Sequence, residues 1–190
     1  MLSAIIATHD SERALVPTLS ALVPAVAAGL LREVIVADAN SRDATAEVAE
    51  IAGCQFMSSS EPLGTRLLAA AAATKTPWLM FLRAGTVPAP GWIPAAEHFI
   101  QMTDMAERPH AAVFRPQSAA DPMRPGMSEV LALLRVAFGG VPKPEQGLLI
   151  ARRFYDALGG HAATDDADAA LLRRLGRRRI TMMASGLTIT

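Results

Sequence analysis

Residues 2–13 read "LSAIIATHDSER", and this stretch decides the fold class. Residues 2–8 form a short apolar run with two adjacent isoleucines, which is typical of a buried strand, and polar residues follow it directly. Apolar side chains then recur at helical spacing over residues 15–26, with Asp10 or Ser11 available as the N-cap. A buried strand that leads into a helix is the first unit of an α/β fold.

The first predicted helix begins near residue 12 and contains two prolines. Pro17 falls in the first turns, where a proline is tolerated, whereas Pro24 is expected to kink or end the helix. The apolar stripe of this helix is predicted to consist of Leu15, Val16, Leu19, Leu22, Val23 and Val26.

The alternation of strand and helix then repeats. Residues 33–38, "EVIVAD", predict a second strand. Residues 41–53 predict a helix with Val48 and Ile51 in its apolar stripe and Gly53 at its end. A third strand, an alanine-rich helix and a fourth strand are predicted at residues 54–58, 62–76 and 77–85. This order predicts a mainly parallel sheet with helices on both faces.

Beyond residue 86 the pattern is less regular. Pro and Gly predict a turn at 87–92 and loops at 117–127 and 139–147. Helices are predicted at 93–106, 128–138, 153–158 and 164–179, and strands at 111–116, 148–151 and 180–190.

Composition and charge exclude several classes of protein. The 18 basic and 18 acidic residues balance, which argues against a general nucleic-acid binder. The lone Cys54 excludes an intramolecular disulfide framework and a multi-cysteine metal cluster. No stretch approaches the ~18 apolar residues of a membrane span, and the first residues lack the pattern of a signal peptide. The sequence therefore predicts a cytoplasmic protein with one core.

Polar residues stand at the ends of the predicted strands, where ligands bind in an open parallel sheet. Thr8, His9 and Asp10 end or follow the first strand, Asp38 ends the second, and Arg83 lies at the end of the fourth. The first strand is followed by neither a Gly-rich dinucleotide turn nor a P-loop. Asp38 is therefore a candidate ligand-binding carboxylate, with a helix cap or a loop brace as the alternative interpretation.

Five segments, in this order, resemble the family 2 glycosyltransferases, which have the GT-A fold. They are "SAIIATHDSER", "EVIVADANSRDAT", "PWLMFLRAGTVPAPGW", "EQGLLIARRFYDALGG" and "DDADAALLRRLGRR". The resemblance covers residue 3 to about residue 178. It implies a single GT-A-like, Rossmann-like domain at 1–190, with a nucleotide-binding half at 1–86 and an acceptor-binding half at 87–190. The family transfers a sugar from a nucleotide diphosphate donor to an acceptor hydroxyl with inversion.

The resemblance also implies which residues bind the donor. Thr8 and His9 match the loop that lies against the nucleotide base. Asp38 matches the aspartate that bonds the base, which is commonly uracil. Arg66 and Arg83 are the further donor-binding candidates. The implied partner is a nucleotide sugar, with UDP as the expected nucleotide.

The acidic segment matches the catalytic part of the family. Asp165 and Asp166 match its Glu-Asp pair, whose second member is the usual general base. We therefore predict Asp166 as the base, with Asp165 and Gln146 holding the base or the acceptor in place. A helix start is the alternative, because Asp165, Asp166 and Asp168 would favour the positive end of a helix dipole without any catalytic duty.

Residues 81–86, "FLRAGT", depart from the family. Arg83 and Gly85 occupy the two ends of its Asp-X-Asp or His-Ala-Asp motif, whose second carboxylate binds Mn²⁺ or Mg²⁺. Gly85 has no side chain, so we predict no metal site and expect Arg83 to bind the diphosphate. The alternatives are that Arg83 points to solvent or pairs with an acidic neighbour, and that Gly85 serves a turn with positive φ.

Two further features leave alternatives open. The run Arg173–Arg179 is either a solvated face or a contact to the donor's phosphates or to anionic lipid at the membrane periphery. Four scattered histidines, His9, His98, His110 and His161, lack metal-ligand spacing, which favours surface or core roles.

The leading hypothesis is an inverting glycosyltransferase that uses a saccharide or lipid-linked acceptor. The alternative is a catalytically silent nucleotide-sugar-binding module of the same fold, favoured by the missing carboxylate at Gly85. A nucleotidyltransferase would need a Gly-rich basic loop after the first strand, which "ATHDSER" lacks.

Overall fold

The structure is a computed structural model that describes residues 1–106, 108–117 and 143–189. Its first half alternates strands and helices: β1 (Leu2–Thr8), α1 (Glu12–Ala27), β2 (Leu31–Asp38), α2 (Thr45–Ile51), β3 (Gln55–Ser58), α3 (Leu63–Ala73) and β4 (Trp78–Arg83). Its second half contains β5 (Thr86–Pro88), α4 (Trp92–Ala106), β6 (Ala111–Gln117), β7 (Leu148–Ala151), α5 (Arg152–Ala157), α6 (Ala167–Leu175) and β8 (Ile180–Ile189).

The strands of the described residues form one eight-stranded sheet in the order β3-β2-β1-β4-β7-β6-β8-β5. Strands β3, β2, β1 and β4 are mutually parallel, and β6 is parallel to β8. Strand β7 is antiparallel to both of its neighbours, and β5 is antiparallel to β8. The predicted α/β class with a mainly parallel sheet is confirmed.

The central strands carry the core and set the position of the site. Ile5 and Ile6 on β1, and Leu79 and Met80 on β4, are fully buried. Because both faces of these strands are covered, their sequences are apolar runs and do not alternate. Thr8, Asp38 and Arg83 stand at the carboxyl ends of these parallel strands, on one side of the sheet.

The apolar stripe of α1 is narrower than predicted. Leu15, Leu19 and Leu22 are buried as expected. Three predicted members are instead exposed, namely Val16 (50%), Val23 (63%) and Val26 (54%). A helix that covers a sheet buries about one third of its circumference, so apolar residues outside that stripe stay on the surface. Pro24 does not end the helix, because α1 continues to Ala27. A proline removes only one backbone donor, so a helix can continue for about one more turn beyond it.

Helix α2 is confirmed, and one of its predicted core residues is wrong. Ile51 is 79% exposed, whereas Ala49 is buried and Val48 is partly buried against the core. The helix spans only seven residues, so a single narrow face contacts the sheet. Gly53 follows it with φ 71°, as expected for a helix end.

The continuous helix predicted at 164–179 is also wrong. Helix α6 ends at Leu175, and Gly176 with φ 70° separates it from a 3₁₀ turn at Arg177–Arg179. Asp165 precedes α6 and Asp166 occupies its N-cap position. A positive φ favours glycine and stops the helix there.

Strand β5 lies where a turn was predicted. Three residues that include a proline carry little strand pattern, and their partner β8 is about a hundred residues away. The loop predicted beyond residue 117 and the helix predicted at 128–138 lie outside the described residues. None of the helices within the described ranges is long and apolar enough to cross a membrane.

The N-terminus of α3 is docked on the segment before α6. The Gly64 N–H donates to the Thr164 carbonyl at 3.0 Å, and the Leu63 N–H donates to Oδ1 of Asp165 at 3.1 Å. A Cβ on Gly64 would lie 1.6 Å from the carbonyl oxygen of Ala162. Glycine is therefore required for this approach, which holds Asp165 against α3.

We expect Gly64→Ala to lower the free energy of unfolding by about 1–3 kcal/mol, because the methyl group would overlap a backbone carbonyl. Without that contact the change should instead stabilise the helix by up to about 1 kcal/mol. Denaturant titration measures the difference. Ala69→Gly, at an exposed position of the same helix, is the control and should cost about 1 kcal/mol from helix propensity alone. Equal or greater stability of Gly64→Ala would contradict the docking contact.

Candidate donor-binding site

Three of the predicted donor-binding residues meet at the carboxyl edge of the parallel strands. In the strand register, Thr8 on β1 is opposite Asp38 on β2, and Ala7 is opposite Arg83 on β4. Because parallel strands end on the same side, these side chains emerge at one edge of the sheet. We call Thr8, His9, Asp38, Arg66 and Arg83 the polar edge.

Asp38 is fully buried and is the most heavily bonded side chain of this edge. Its Oδ1 accepts hydrogen bonds from the Thr8 hydroxyl at 2.8 Å and from the Ser41 hydroxyl. Its Oδ2 accepts the Ser41 N–H at 2.8 Å and the Ser58 hydroxyl at 2.9 Å. A carboxylate offers about four lone-pair positions, and four donors of the chain fill them. The brace interpretation of Asp38 therefore has a clear geometric basis.

These bonds also keep Asp38 ionised. Burial by itself would raise the pKa of Asp38, but the hydrogen bonds from Ser41, Thr8 and Ser58 outweigh it, and the pKa is lowered. The sequence analysis did not single out Ser41 or Ser58. A weak signal for them existed, since both are short hydroxyl residues at or just after strand ends.

The two loops beside Asp38 are held in an uncommon backbone conformation. Asp10 and Asn40 have φ of 46° and 53°, a region that residues other than glycine seldom adopt. The Asp10 carboxylate accepts the Arg42 N–H at 2.8 Å, which joins the two loops. His9 is exposed, and its Nδ1 lies 3.1 Å from the Ala39 carbonyl oxygen. Such local strain is typical of functional sites.

Arg66 extends from α3 to the end of β2. Its Nη1 donates to the Ala37 carbonyl at 2.6 Å, and its Nε donates to the Glu61 carbonyl at 3.2 Å. Burial lowers the pKa of Arg66. The charges of Asp38 and Asp165 oppose that lowering. Arg66 thus joins α3 to the end of β2.

Arg83 forms an ion pair with Asp168. Its Nη2 and Nε both donate to Oδ2 of Asp168, at 2.7 and 3.2 Å. The sequence left several interpretations of Arg83 open. The observed geometry corresponds to the one in which Arg83 pairs with an acidic neighbour. Gly85 has φ 88°, and its N–H donates to the Ala14 carbonyl at 2.9 Å and to the Thr18 hydroxyl at 3.0 Å. The turn interpretation of Gly85 therefore fits the structure.

Two residues that the sequence analysis did not assign to the site lie behind this ion pair. His161 is 3% exposed, and its Nε2 lies 3.2 Å from Oδ1 of Asp168. Its Nδ1 lies 2.8 Å from the hydroxyl of buried Tyr155, whose pKa is raised to about 12 by burial. His161 thus has the core role that its lack of metal spacing favoured. The sequence around His161 does not indicate that Asp168 is its partner.

Asp168 is charged despite its burial. Burial would raise the pKa of Asp168, but hydrogen bonds from His161 and Arg83, together with the charge of Arg83, lower it. A carboxylate stabilised in this way is a poor acceptor of protons. Because Arg83 and His161 already contact its two oxygens, Asp168 is less accessible to an acceptor hydroxyl than an exposed carboxylate.

The predicted catalytic carboxylates lie in different environments. Oδ1 of Asp165 accepts the Leu63 N–H, as described above. The Asp166 side chain is 67% exposed, and its Oδ2 accepts a hydrogen bond from Arg173 Nη2 at 3.0 Å. Asp166 therefore has the access to solvent that a base needs to meet an acceptor.

Gln146 is not brought to Asp166. Its Nε2 donates to the Phe114 carbonyl at 2.9 Å, and its Oε1 accepts the Lys143 N–H at 2.6 Å. The side chain is buried, so both ends of its amide brace the backbone. In this geometry Gln146 supports the loop before β7.

A small cleft lies beside Arg83 at the end of β4. Its apolar side includes Leu67, Phe81 and Leu82. Its polar side includes Arg83, Lys143 and Asp168. Two cationic side chains against one carboxylate leave this lining with a net positive charge, which is suited to an anionic group.

The polar edge does not fit a divalent cation. Arg83 carries a positive charge where the family has a carboxylate, and Gly85 offers no side chain. The neighbouring carboxylate of Asp168 is already occupied by Arg83 and His161. Within the described ranges, no group of three or more His, Cys, Asp and Glu residues could hold a metal ion.

The basic run near the C-terminus is largely used for internal contacts. Arg174 donates to the carbonyls of Leu158 and Gly160, at 2.6 and 2.5 Å. Arg179 donates to the Leu175 carbonyl at 2.9 Å. Arg173 pairs with Asp166 at the N-cap of the same helix, so Arg174 is the arginine of α6 whose contacts attach that helix to another segment.

Comparison with known structures shows the same architecture elsewhere. Glucosyl-3-phosphoglycerate synthase from Mycobacterium tuberculosis, in complex with Mn²⁺, UDP and glucosyl-3-phosphoglycerate, matches with a TM-score of 0.72 and 20% identity, over 100% of this chain and 70% of that chain. TarS from S. aureus matches with a TM-score of 0.73 and 14% identity, over 100% of this chain and 60% of the other. At 20% and 14% identity, these similarities show only that the chain shares the GT-A fold.

Sequence comparison gives the family. No curated protein matches the chain. The family model described as glycosyl transferase family 2 matches residues 3–106, which is more than half of the 190 residues. The matched range contains β1 to β4 and every residue of the polar edge. The chain therefore belongs to glycosyl transferase family 2.

Proposed function

We propose that this chain transfers a sugar from a uridine diphosphate donor to an acceptor hydroxyl with inversion at the anomeric carbon. The observation that carries the proposal is the polar edge, where the ends of three parallel strands meet the acidic segment through the Arg83–Asp168 pair. The solved glucosyl-3-phosphoglycerate synthase contains UDP, which supports the choice of nucleotide.

At the donor end, Thr8 and His9 would lie against the base. A direct bond from Asp38 to the imide N–H of uracil stays a prediction, and it requires one of the four present donors to move away. Arg66 and Arg83 would bind the diphosphate, since a guanidinium forms charge-assisted bonds to phosphate and stays ionised. The described residues at this edge do not fit a metal ion, so Arg83 would stabilise the charge that develops on the leaving group.

At the acceptor end, Asp166 is the proposed general base. An inverting transfer needs a carboxylate that takes the proton of the acceptor hydroxyl while its oxygen attacks the anomeric carbon and the nucleotide diphosphate leaves. Asp166 is exposed and Asp168 is locked in an ion pair, which supports this assignment over its neighbour. Asp165 would fix the segment through its bond to α3.

A catalytically silent nucleotide-sugar-binding module is the second candidate. It is favoured by the replacement of the metal-binding carboxylate with Gly85. Donor binding without any release of UDP, over a panel of UDP-sugars and hydroxyl acceptors, would support this candidate over turnover. A cytoplasmic location and contact with a membrane surface through Arg173–Arg179 stay predictions.

We expect UDP to bind equally well in EDTA and in millimolar Mn²⁺, because Arg83 supplies the charge. Arg83→Ala should weaken UDP binding by about 1.5–3 kcal/mol, the usual contribution of a hydrogen bond to a charged group. Isothermal titration calorimetry measures both effects. Arg153→Ala, which removes an exposed arginine 3.8 Å from Asp104, is the matched control. A strict Mn²⁺ requirement, or full affinity in Arg83→Ala, would contradict the proposal.

We expect Asp38→Asn to lower the free energy of unfolding by about 2–4 kcal/mol at neutral pH, because an amide oxygen cannot accept all four donors. The pKa of Asp38 is lowered on folding, so the stabilisation is present above its ordinary pKa of 3.8 and is lost as pH falls through the folded value. The difference between wild type and variant should therefore shrink below about pH 4. Denaturant titrations at pH 7 and pH 3 measure it, and an equal difference at both values would exclude the charged brace.

We expect Asp166→Asn to bind UDP normally and to release UDP from a UDP-sugar about 10²–10⁴-fold more slowly, the usual cost of removing a positioned base. Asp104→Asn, which changes another exposed, ion-paired aspartate, is the control and should keep the wild-type rate. A wild-type rate in Asp166→Asn, with normal folding, would remove Asp166 from the mechanism.

A further inference from the structure

Behind Arg83 the structure contains a buried chain of four polar groups. It runs from Tyr155 through His161 and Asp168 to Arg83, with distances of 2.8 Å, 3.2 Å and 2.7 Å between successive partners. The inner members are almost fully buried, with Tyr155 at 1% and His161 at 3% exposure. Its two outer members, Asp168 and Arg83, line the cleft.

One tautomer of His161 lets the Tyr155 hydroxyl both accept and donate. The His161 N–H donates to the Tyr155 hydroxyl oxygen at 3.1 Å, which leaves that hydroxyl free to donate its proton to Nδ1 of His161. The imidazole then carries its proton on Nε2, which faces Oδ1 of Asp168. The 3.2 Å contact of Nε2 with Oδ1 lies on the inner side of the carboxylate, and Oδ2 accepts the hydrogen bonds of the Arg83 guanidinium.

The same contacts orient Arg83. A guanidinium has five N–H donors in a fixed plane. Asp168 accepts from Nε and from one hydrogen of Nη2, which fixes one side of the plane. The remaining donors, on Nη1 and Nη2, form the other side. Since the Arg83 side chain is 40% exposed and lines the cleft, these donors are available to a ligand there.

We propose that Asp168 is a positioning residue of the donor site, which together with His161 and Tyr155 aims the guanidinium of Arg83 at a diphosphate in the cleft. The inference rests on the proposed function. It names the groups that would take over the role that metal-binding carboxylates have in the family. In this role Asp168 acts on Arg83 and not on the reacting atoms. It acts by removing the freedom of Arg83, so that a ligand does not have to order a long side chain.

The test compares the affinities for UDP and for uridine, measured by calorimetry in EDTA. Uridine lacks the diphosphate, so the ratio of the two affinities reports the phosphate contacts alone. Arg83→Ala and Asp168→Asn should each reduce that ratio about 10- to 100-fold, and the double variant should reduce it no further, because both changes act on one group. Tyr155→Phe should reduce it by up to about 10-fold, in line with outer partners that orient a charged group.

Asp104→Asn is the control for an aspartate-to-asparagine change outside the chain of contacts, and it should keep the wild-type ratio. Thermal melts establish that each variant is folded. If Asp168→Asn does not fold, Tyr155→Phe takes its place, since it keeps the buried ring. A wild-type or increased ratio in the folded variants, or additive losses in the double variant, would overturn the positioning role. Equal binding of UDP and uridine by the wild type would overturn it as well. Failure of the wild type to bind either ligand would overturn the proposed donor and this inference together.

Discussion

The carboxylate of Asp38 is the constraint on which the rest of the polar edge depends. It joins the ends of three parallel strands, because its four hydrogen bonds reach Thr8 on β1, Ser41 after β2 and Ser58 on β3. Removing a charge from water costs several kcal/mol unless hydrogen bonds replace those of the solvent. The loops must therefore keep their positions, and their strained residues Asp10 and Asn40 are held there.

A second buried carboxylate, Asp168, stabilises the site in a different way. The charge of Asp38 is stabilised by hydrogen-bond dipoles, which fix the geometry of the loops without adding a countercharge. Asp168 is contacted by His161 and by the cation Arg83. The Arg83–Asp168 pair therefore directs a guanidinium into the cleft. The two arrangements divide the edge into a rigid pocket beside β2 and a cationic group at the end of β4. Both anions have lowered pKa values despite burial, since in each case the partners outweigh desolvation.

The two halves of the chain are joined where α3 approaches the segment before α6. This approach depends on the absence of a side chain at Gly64, and it brings Asp165 to a backbone N–H at the start of α3. The insertion of β7 between β4 and β6 brings α6 to the same edge. As a result, carboxylates from late in the sequence lie beside strand ends from its beginning, which is the geometry that a two-substrate transfer requires.

The sequence by itself determined the alternation of β1 to β4 with their helices, the polar strand ends and the family, because each depends on local periodicity or on short motifs. It left the positive-φ turn at Gly85 as one alternative, which the structure decided. It did not determine which face of α1 and α2 is exposed, since Val23 and Ile51 differ from buried residues only in the partner they meet. The tertiary structure alone decided that Arg83 pairs with Asp168, 85 residues away, and that His161 lies behind the pair. A contact of that range is fixed by the order of strands in the sheet, which short-range patterns do not encode.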